Sequence, residues 1–401
     1  MKKGLWSGLA AMVCVLLTGC ETTGPQVRED APPGVLACSV GPSGQAHTVR
    51  LEVWRGREAD LSKYSVAHVC RLLDEVSRGL QAQGAPVRFE VSGTVQVHPD
   101  LGRANNISMQ QAVTAQDGLM RLAIVDAIDV CGGTVGYILG CTPRIGRPLV
   151  YVKSHDRLND VAPEWVIWSH ELGHTVALPH PDNAFSEPAY PERIMTYMPQ
   201  PESSSLVEPE PTRFGRLGAY VHGSGGGGAS GAAVAGPEMD RPVGAQELVA
   251  FILKVGQHGV PLQALAHLDD AALLNLRVLL EPSAAIDNPL ISRISQAMRI
   301  NALVPLAELG RDRAQAYVRD YLRSQTGMAN QNLRRYGLWA LGRGQLRHPT
   351  EDTRIFLQRA TQVGFWCADQ ATKAADCVTS AQAAQEALLQ IGVKSGAGEL
   401  R

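Results

Sequence analysis

The sequence has no run of basic residues and no basic stretch interleaved with aromatic side chains. Its 37 Lys and Arg residues are matched by 39 Asp and Glu residues, which gives a net charge of −2 at pH 7. Proteins that bind nucleic acids concentrate positive charge on one surface in order to neutralise phosphates. The composition therefore predicts an ordinary globular protein without a nucleic-acid partner.

The N-terminal apolar run, Leu5–Leu17, is too short for a permanent membrane-spanning helix. Because it follows a basic start, residues 1–19 are predicted to be a signal peptide. The run ends in Leu-Thr-Gly before Cys20, which resembles a bacterial lipobox. The resemblance implies cleavage before Cys20 and lipidation of that cysteine, although an ordinary secretory signal is the alternative.

The residues after the predicted cleavage site indicate where the protein is placed. Glu21 follows Cys20, whereas an Asp at this position is associated with retention in the inner membrane. Residues 20–34 are polar and contain proline, as expected of a tether. We expect a lipid-anchored protein of the cell envelope, in the outer membrane, that contacts the membrane through Cys20.

The sequence also lacks any C-x-x-C pair, which argues against a zinc site built from cysteines. In an exported protein, the cysteines that remain beyond Cys20 predict disulfides, although the sequence alone leaves their connectivity open. Proximity favours three pairs: Cys131 with Cys141, Cys367 with Cys377, and Cys38 with Cys70.

Two histidines and a glutamate predict a metal site. On a helix, His170 and His174 lie one turn apart on the same face, a spacing that suits two imidazole ligands of one metal. Glu171 is rotated away from that axis, yet it is close enough to meet a metal-bound water. The pattern therefore predicts a metal-binding helix with Glu171 as general base.

A third histidine follows after a turn. Pro179 cannot continue a helix, so the helix should stop near Ala177 and His180 should return towards the metal. Three neutral imidazoles and a water form the open arrangement of a catalytic Zn²⁺. We therefore expect Zn²⁺ as the cofactor.

Met195-Thr196-Tyr197 follows this set of histidines. Together the residues resemble the metzincin metallopeptidases, whose signature is HExxHxxGxxH followed by a Met-turn. The resemblance implies zinc binding by His170, His174 and His180, acid–base catalysis by Glu171, an apolar floor at Met195, and zinc binding or oxyanion stabilisation by Tyr197. Ala177 replaces the family glycine, so its turn must be strained by roughly 1–2 kcal/mol or have a different shape.

Hydrophobic patterning predicts an α+β fold for residues 35–222. Alternating or buried apolar residues predict strands, and the period of 3.6 residues predicts a helix. The expected strands are Thr48–Trp54, Val87–Val97, Leu119–Ile128 and Leu149–Val152, and the expected helix, between the first two strands, is Ser62–Gln83. The zinc helix should begin near Pro163, and Thr212–His222 should form a short closing helix. This order resembles the twisted mixed sheet and active-site helix of a metzincin domain.

The glycine-rich segment Cys131–Cys141 lies between two of these strands. The resemblance implies that it carries the edge strand that pairs with an extended peptide substrate. A disulfide-closed loop with no contact to substrate is the alternative.

Residues 223–242 are rich in glycine and serine and are predicted to be a flexible linker. Beyond them, residues 243–401 have helical periodicity. The stretch Asn301–Gly310 is echoed by Leu333–Gly342, and Ala381–Gly392 is a further candidate copy. The echo resembles HEAT-type repeats, which implies an all-α domain able to bind a protein partner. A plain helical bundle is the alternative.

Together these features predict a zinc-dependent endopeptidase that cleaves peptide or protein substrates. The alternative from another class is a non-catalytic, zinc-stabilised envelope protein that binds its partner through the helical domain.

Overall fold

The computed structural model describes residues 35–56, 64–92, 96–98, 103–104, 113–131, 134–154, 163–180, 193–195, 205–206, 210–221, 243–254, 258–281, 289–367 and 374–392. The predictions for the signal peptide, Cys20 with its tether, Tyr197 and the 223–242 linker lie outside these residues. Among the described helices, none has both the length and the apolar character needed to cross a membrane.

The described strands belong to two sheets. In chain order they are β1 (Leu36–Val40), β2 (His47–Gly56), β3 (Val87–Ser92), β4 (Gln96–His98), β5 (Arg103–Ala104), β6 (Met120–Val125), β7 (Ala127–Cys131), β8 (Thr134–Ile138), β9 (Gly140–Cys141), β10 (Leu149–Lys153) and β11 (His258–Pro261).

The larger sheet has the order β1-β3-β2-β6-β10-β9, and β4 also pairs with β2. Its central strands β3, β2, β6 and β10 are parallel to one another. The outer strands β1 and β9 are antiparallel to their neighbours. The sheet is therefore mixed, and β9 is its last strand on the side of β10.

Two helices, α1 (Val66–Ala82) and α2 (Glu164–Thr175), contribute to the core of the larger sheet. The apolar stripe expected on α1 is buried against the strands, as its helical spacing predicts. Gly79 of α1 lies against Trp165 of α2, where an added Cβ would be 2.5 Å from the indole ring. This close approach fixes α2 beneath the sheet.

One predicted strand is divided in the structure. The prediction of one strand over Leu119–Ile128 was wrong, because β6 ends at Val125 and β7 begins at Ala127 in the second sheet. The side chain of Asp126, between them, accepts a hydrogen bond from Ser154 Oγ at 3.1 Å. The break between β6 and β7 falls at Asp126, which follows four consecutive apolar residues, so a polar residue marks it in the sequence. Within the prediction Val87–Val97, the described residues form β3 and β4, which both pair with β2 in parallel.

The smaller sheet has the order β11-β8-β7-β5. It determines which strand of the segment Cys131–Cys141 can be the predicted substrate edge. Strand β8 within this segment is paired on both sides, with β7 and with β11 of the C-terminal region. Within the segment that is expected to carry the substrate edge strand, β8 is therefore an interior strand of the smaller sheet. Among the described strands, none pairs with the outer side of β9, at the end of the segment.

The remaining described helices lie mostly in the C-terminal region. They are α3 (Glu210–Phe214), α4 (Ala245–Lys254), α5 (Leu262–Leu265), α6 (Asp270–Leu273), α7 (Pro289–Glu308), α8 (Asp312–Arg323), α9 (Gln325–Met328), α10 (Gln331–Arg347), α11 (Glu351–Ala360), α12 (Val363–Trp366) and α13 (Ala374–Gln390), with a 3₁₀ helix at Leu274–Leu279. The closing helix predicted over Thr212–His222 is wrong in extent, because α3 ends at Phe214 and residues 215–218 form turns.

Helix α10 packs between α7 and α13, and glycines permit the close contacts. An added Cβ at Gly342 would lie 2.9 Å from Ala387 of α13, and one at Gly344 would lie 2.2 Å from the backbone oxygen of Ala307 on α7. The core of this region also includes Val130 and Val135 from the smaller sheet. The helical region therefore packs directly on β7 and β8.

The three predicted disulfides are confirmed. Cys38–Cys70 joins β1 to α1, Cys131–Cys141 joins β7 to β9, and Cys367–Cys377 joins the end of α12 to α13. The chain is a mixed α/β protein that combines a mixed sheet with many helices.

Candidate metal centre

Helix α2 is anchored at its N-terminus by Glu164 in the first turn. Its carboxylate accepts a hydrogen bond from Tyr64 Oη at 3.0 Å and lies 3.6 Å from His68 Nε2. An acidic side chain is also favourable at this positive end of the helix dipole. These contacts hold the start of the helix against α1.

His170 and His174 are buried on α2, and each is oriented by a backbone carbonyl. His170 Nδ1 donates to Ile194 O at 2.7 Å, and His174 Nδ1 donates to Leu178 O at 2.8 Å. A carbonyl oxygen can only accept, so each Nδ1 carries a proton, and in the neutral form of each ring Nε2 has the lone pair that a metal ion would bind. In metal sites, a hydrogen bond from the other ring nitrogen to a carbonyl orients a histidine ligand in this way.

The turn after α2 returns the chain to the metal centre. Leu178 N–H donates to Gly173 O at 3.1 Å, and Ala177 N–H donates to His174 O at 3.1 Å. These two bonds form a Schellman motif, in which the residue at the position of Ala177 is left-handed. Ala177 has φ of 63°, so the turn forms although alanine replaces glycine.

This turn places His180 against the two helical histidines. Its Nε2 lies 3.0 Å from His170 Nε2 and 3.1 Å from His174 Nε2, and these last two atoms are themselves 3.1 Å apart. The three side chains form a group whose geometry can hold a metal ion. The sequence therefore identified the residues that the fold brings together.

The donor set fits a metal ion. Two imidazoles that both carry the proton on Nδ1 cannot hydrogen-bond to each other through Nε2, so their lone pairs repel unless a cation lies between them. Zinc–nitrogen bonds of about 2.0–2.1 Å at tetrahedral angles place ligand nitrogens roughly 3.3 Å apart, which is close to the observed triangle. Burial lowers the pKa of His174 to about 4, although the hydrogen bond to Leu178 O acts to raise it. The imidazole is therefore neutral at pH 7.

Met195 is fully buried in the same core as helix α2. It packs against Gly173 of α2, where an added Cβ would be 2.2 Å from the Met195 sulfur. The preceding residue, Ile194, supplies the carbonyl that orients His170. Thus the predicted Met-turn residue contacts the helix that carries His170 and His174, while Tyr197 lies outside the described residues.

Glu171 is buried beside the histidines, 2% exposed. Thr142 Oγ1 lies 2.8 Å from its backbone oxygen and 3.1 Å from its Oε2. Burial raises the pKa of Glu171 to about 8, whereas the hydrogen bonds from Thr142 act in the opposite direction. A cation at the neighbouring histidines would favour the charged carboxylate.

Strand β9, which we call the rim strand of the site, lies against the side chain of Glu171. Lys153 N–H donates to Leu139 O at 2.8 Å, in register with the pairing of β9 on β10. Hydrogen-bonded positions alternate along an antiparallel pair, so the N–H and C=O of Gly140 point away from β10. Among the described strands, none pairs with this outer side of β9.

Sequence reasoning missed Thr142 and Gly140 as parts of the site. Gly140 was considered only as one glycine of the segment Cys131–Cys141 that is expected to carry the substrate edge. Thr142 follows that segment and belongs to no motif. Thr142 and Glu171 are 29 residues apart in the sequence, so no periodicity or motif spacing reveals their contact.

No protein-family profile matches this chain, and no curated protein matches it significantly.

Proposed function

We propose that this protein is a zinc-dependent endopeptidase of metzincin type. The observation that supports it best is the group of three histidines whose Nε2 atoms converge within 3.1 Å of one another. The same helix carries the buried Glu171, and an unpaired strand edge lies above it. A ligand set, a proton acceptor and a peptide-binding edge are thus adjacent.

His170, His174 and His180 would hold the zinc ion. Bound there, zinc supplies a water of lowered pKa and polarises the carbonyl of the scissile bond. Glu171 takes a proton from the attacking water and delivers it to the amine that leaves. Its burial keeps bulk water away from this transfer.

The substrate binds as an extended chain along β9. The outward N–H and C=O of Gly140 are suited to main-chain hydrogen bonds, which accept almost any peptide sequence. This edge is only two residues long, so contacts beyond it must contribute to specificity.

The domain architecture supports the same proposal. Parallel central strands, an antiparallel edge strand and a histidine-bearing helix that ends in a left-handed turn are consistent with a metzincin-like domain. In the C-terminal region, the helix pairs α7/α8 and α10/α11 are followed by α13, which is consistent with HEAT-like repeats. We assign this region a role in binding a protein partner or presenting a substrate.

We place the protein in the cell envelope, anchored through lipid on Cys20. Three disulfides support an oxidising compartment, because such bonds persist outside the cytosol. The lipid anchor itself is supported only by the lipobox-like sequence.

The decisive experiment compares the wild type, Glu171→Gln and His174→Ala in cleavage of a quenched peptide library, with the zinc content of each protein measured. The wild type should hold about one zinc and cleave peptides. Glu171→Gln should keep the zinc and lose about 10²–10⁴-fold in turnover, because the proton acceptor is gone. His174→Ala should lose the metal, since two histidines and water bind zinc poorly.

Glu386→Gln is the matched control, because it makes the same chemical change on the exposed face of α13. It should leave zinc content and turnover unchanged. A zinc-loaded wild type that cleaves nothing, or a Glu171→Gln protein that cleaves as fast as the wild type, would favour the alternative of a zinc-stabilised binding protein.

A further inference from the structure

We propose that Thr142 is a positioning residue that fixes the Glu171 carboxylate, so that the rim strand which binds substrate also places the general base. This inference rests on the endopeptidase function proposed above.

Thr142 is bound to Glu171 at two points. Its Oγ1 lies 2.8 Å from the backbone oxygen of Glu171 and 3.1 Å from Oε2, and its side chain is buried. The first contact ties the chain after β9 to helix α2, and the second fixes the carboxylate relative to that helix. The single hydroxyl proton is shared between these two oxygens, and the backbone N–H of Thr142 also donates to the carboxylate.

Gly140 confines the carboxylate from the same strand. An added Cβ at Gly140 would lie 2.5 Å from Glu171 Cγ and 2.6 Å from Oε1. Side chains at alternate positions of a strand face the same side, so Gly140 and Thr142 both face Glu171. Gly140 leaves the space that the carboxylate fills, and Thr142 supplies the hydrogen bond.

This arrangement connects substrate binding with the position of the base. The N–H and C=O of Gly140 point outward to the proposed substrate, whereas its Cα faces Glu171. A peptide that pairs with β9 therefore binds the same short segment that holds Glu171. Because displacement of a catalytic group by about 1 Å can lower a rate by 10²-fold, this contact bears on turnover rather than on zinc binding.

The test compares Thr142→Val with Thr142→Ser. Valine has nearly the same shape but lacks the hydroxyl, whereas serine retains it. Thr134→Val is the matched control, because Thr134 Oγ1 also donates to a backbone oxygen, that of Cys131 at 2.8 Å, in the segment before β9. Each variant is measured for zinc content, for kcat and KM on a peptide that the wild type cleaves, and for the position of the Glu171 carboxylate in a crystal structure.

We expect Thr142→Val to keep its zinc and its KM and to lose about 10–10²-fold in kcat, with the carboxylate displaced or in several conformations. Thr142→Ser should restore both the single carboxylate position and most of kcat. Thr134→Val should behave as the wild type.

A Thr142→Val protein with an unmoved carboxylate would overturn the positioning role, as would full kcat in that variant. An equal loss of kcat in Thr142→Ser would also overturn it, because packing rather than the hydroxyl would then matter. If the wild type cleaves nothing, the endopeptidase function fails, and the carboxylate positions still decide the role of Thr142.

Discussion

Asn301 Oδ1 accepts a hydrogen bond from the backbone N–H of Tyr137 at 2.9 Å, which links helix α7 to strand β8. The contact is close, since an added Cβ at Gly136 would lie 2.5 Å from Asn301 Oδ1. Together with the pairing of β11 and β8, it fixes the C-terminal region to the segment that leads into β9. The helical region is thus attached to the rim of the proposed active site.

Asn301→Leu tests this attachment. Leucine fits an apolar helix position but cannot accept the Tyr137 N–H, so we expect a loss of about 1–3 kcal/mol in the free energy of unfolding. Hydrogen exchange of the β8 amides should become faster, and the zinc content should not change. Chemical denaturation and hydrogen-exchange mass spectrometry measure the two effects.

Asn330→Ala is the control for this experiment. Asn330 Oδ1 caps α10 by accepting from Leu333 N–H at 3.0 Å, and loss of such a cap costs about 1 kcal/mol. This variant should be less stable without faster exchange in β8. If the β8 amides of Asn301→Leu exchange hydrogen as slowly as those of the wild type, the Asn301 side chain does not hold the strand.

Ala177→Gly tests the strained turn. Ala177 has φ of 63°, a region that an L-residue enters at a cost of roughly 1–2 kcal/mol. Glycine removes that strain but makes the unfolded chain more flexible, so we expect a net stabilisation of up to about 1 kcal/mol. Ala266→Gly is the control, because Ala266 is exposed with φ of −63° and should be slightly destabilised by glycine. A lower melting temperature for Ala177→Gly would contradict a left-handed turn in solution.

The sequence predicted the local parts of the site well. His170, His174 and the turn before His180 lie within a few residues of one another, so helical spacing and Pro179 determine their arrangement. Apolar periodicity likewise predicted α1 and the central strands. These features depend on local geometry, which a single sequence carries.

The contacts between distant segments could not be predicted in this way. Asn301 occupies the position at which Leu333 stands in the repeat, so a polar residue in an apolar register was a visible signal. Its partner, Tyr137, is 164 residues away and offers only a backbone N–H, which every residue but proline has. The pairing of β11 with β8 could not be predicted for the same reason, because backbone hydrogen bonds between strands do not depend on side-chain type.

Cys20→Ser tests the lipid anchor. Without the thiol, no acyl chain can be attached, so the protein should leave the membrane fraction or remain unprocessed. Cys14→Ser is the matched control, because Cys14 lies in the predicted signal peptide and should not affect membrane association. Membrane fractionation and the mass of the mature N-terminus are measured, and a Cys20→Ser protein that stays processed and membrane-bound would refute the anchor.

The disulfides Cys131–Cys141 and Cys367–Cys377 provide a matched pair, because both have a sequence separation of 10. Replacing either pair by serines should lower the free energy of unfolding by a similar amount, roughly 2–3 kcal/mol, since the two closed loops are of equal length.

Only Cys131–Cys141 joins β7 to β9, the strand that carries Gly140 next to Glu171. We therefore expect the Cys131→Ser, Cys141→Ser protein to lose about tenfold or more in kcat while it retains zinc, because a displaced β9 misplaces the base. The Cys367→Ser, Cys377→Ser protein should keep its kcat at a temperature where both proteins are folded. Equal kcat values in the two variants would mean that the disulfide next to β9 stabilises the fold without maintaining the geometry of the site.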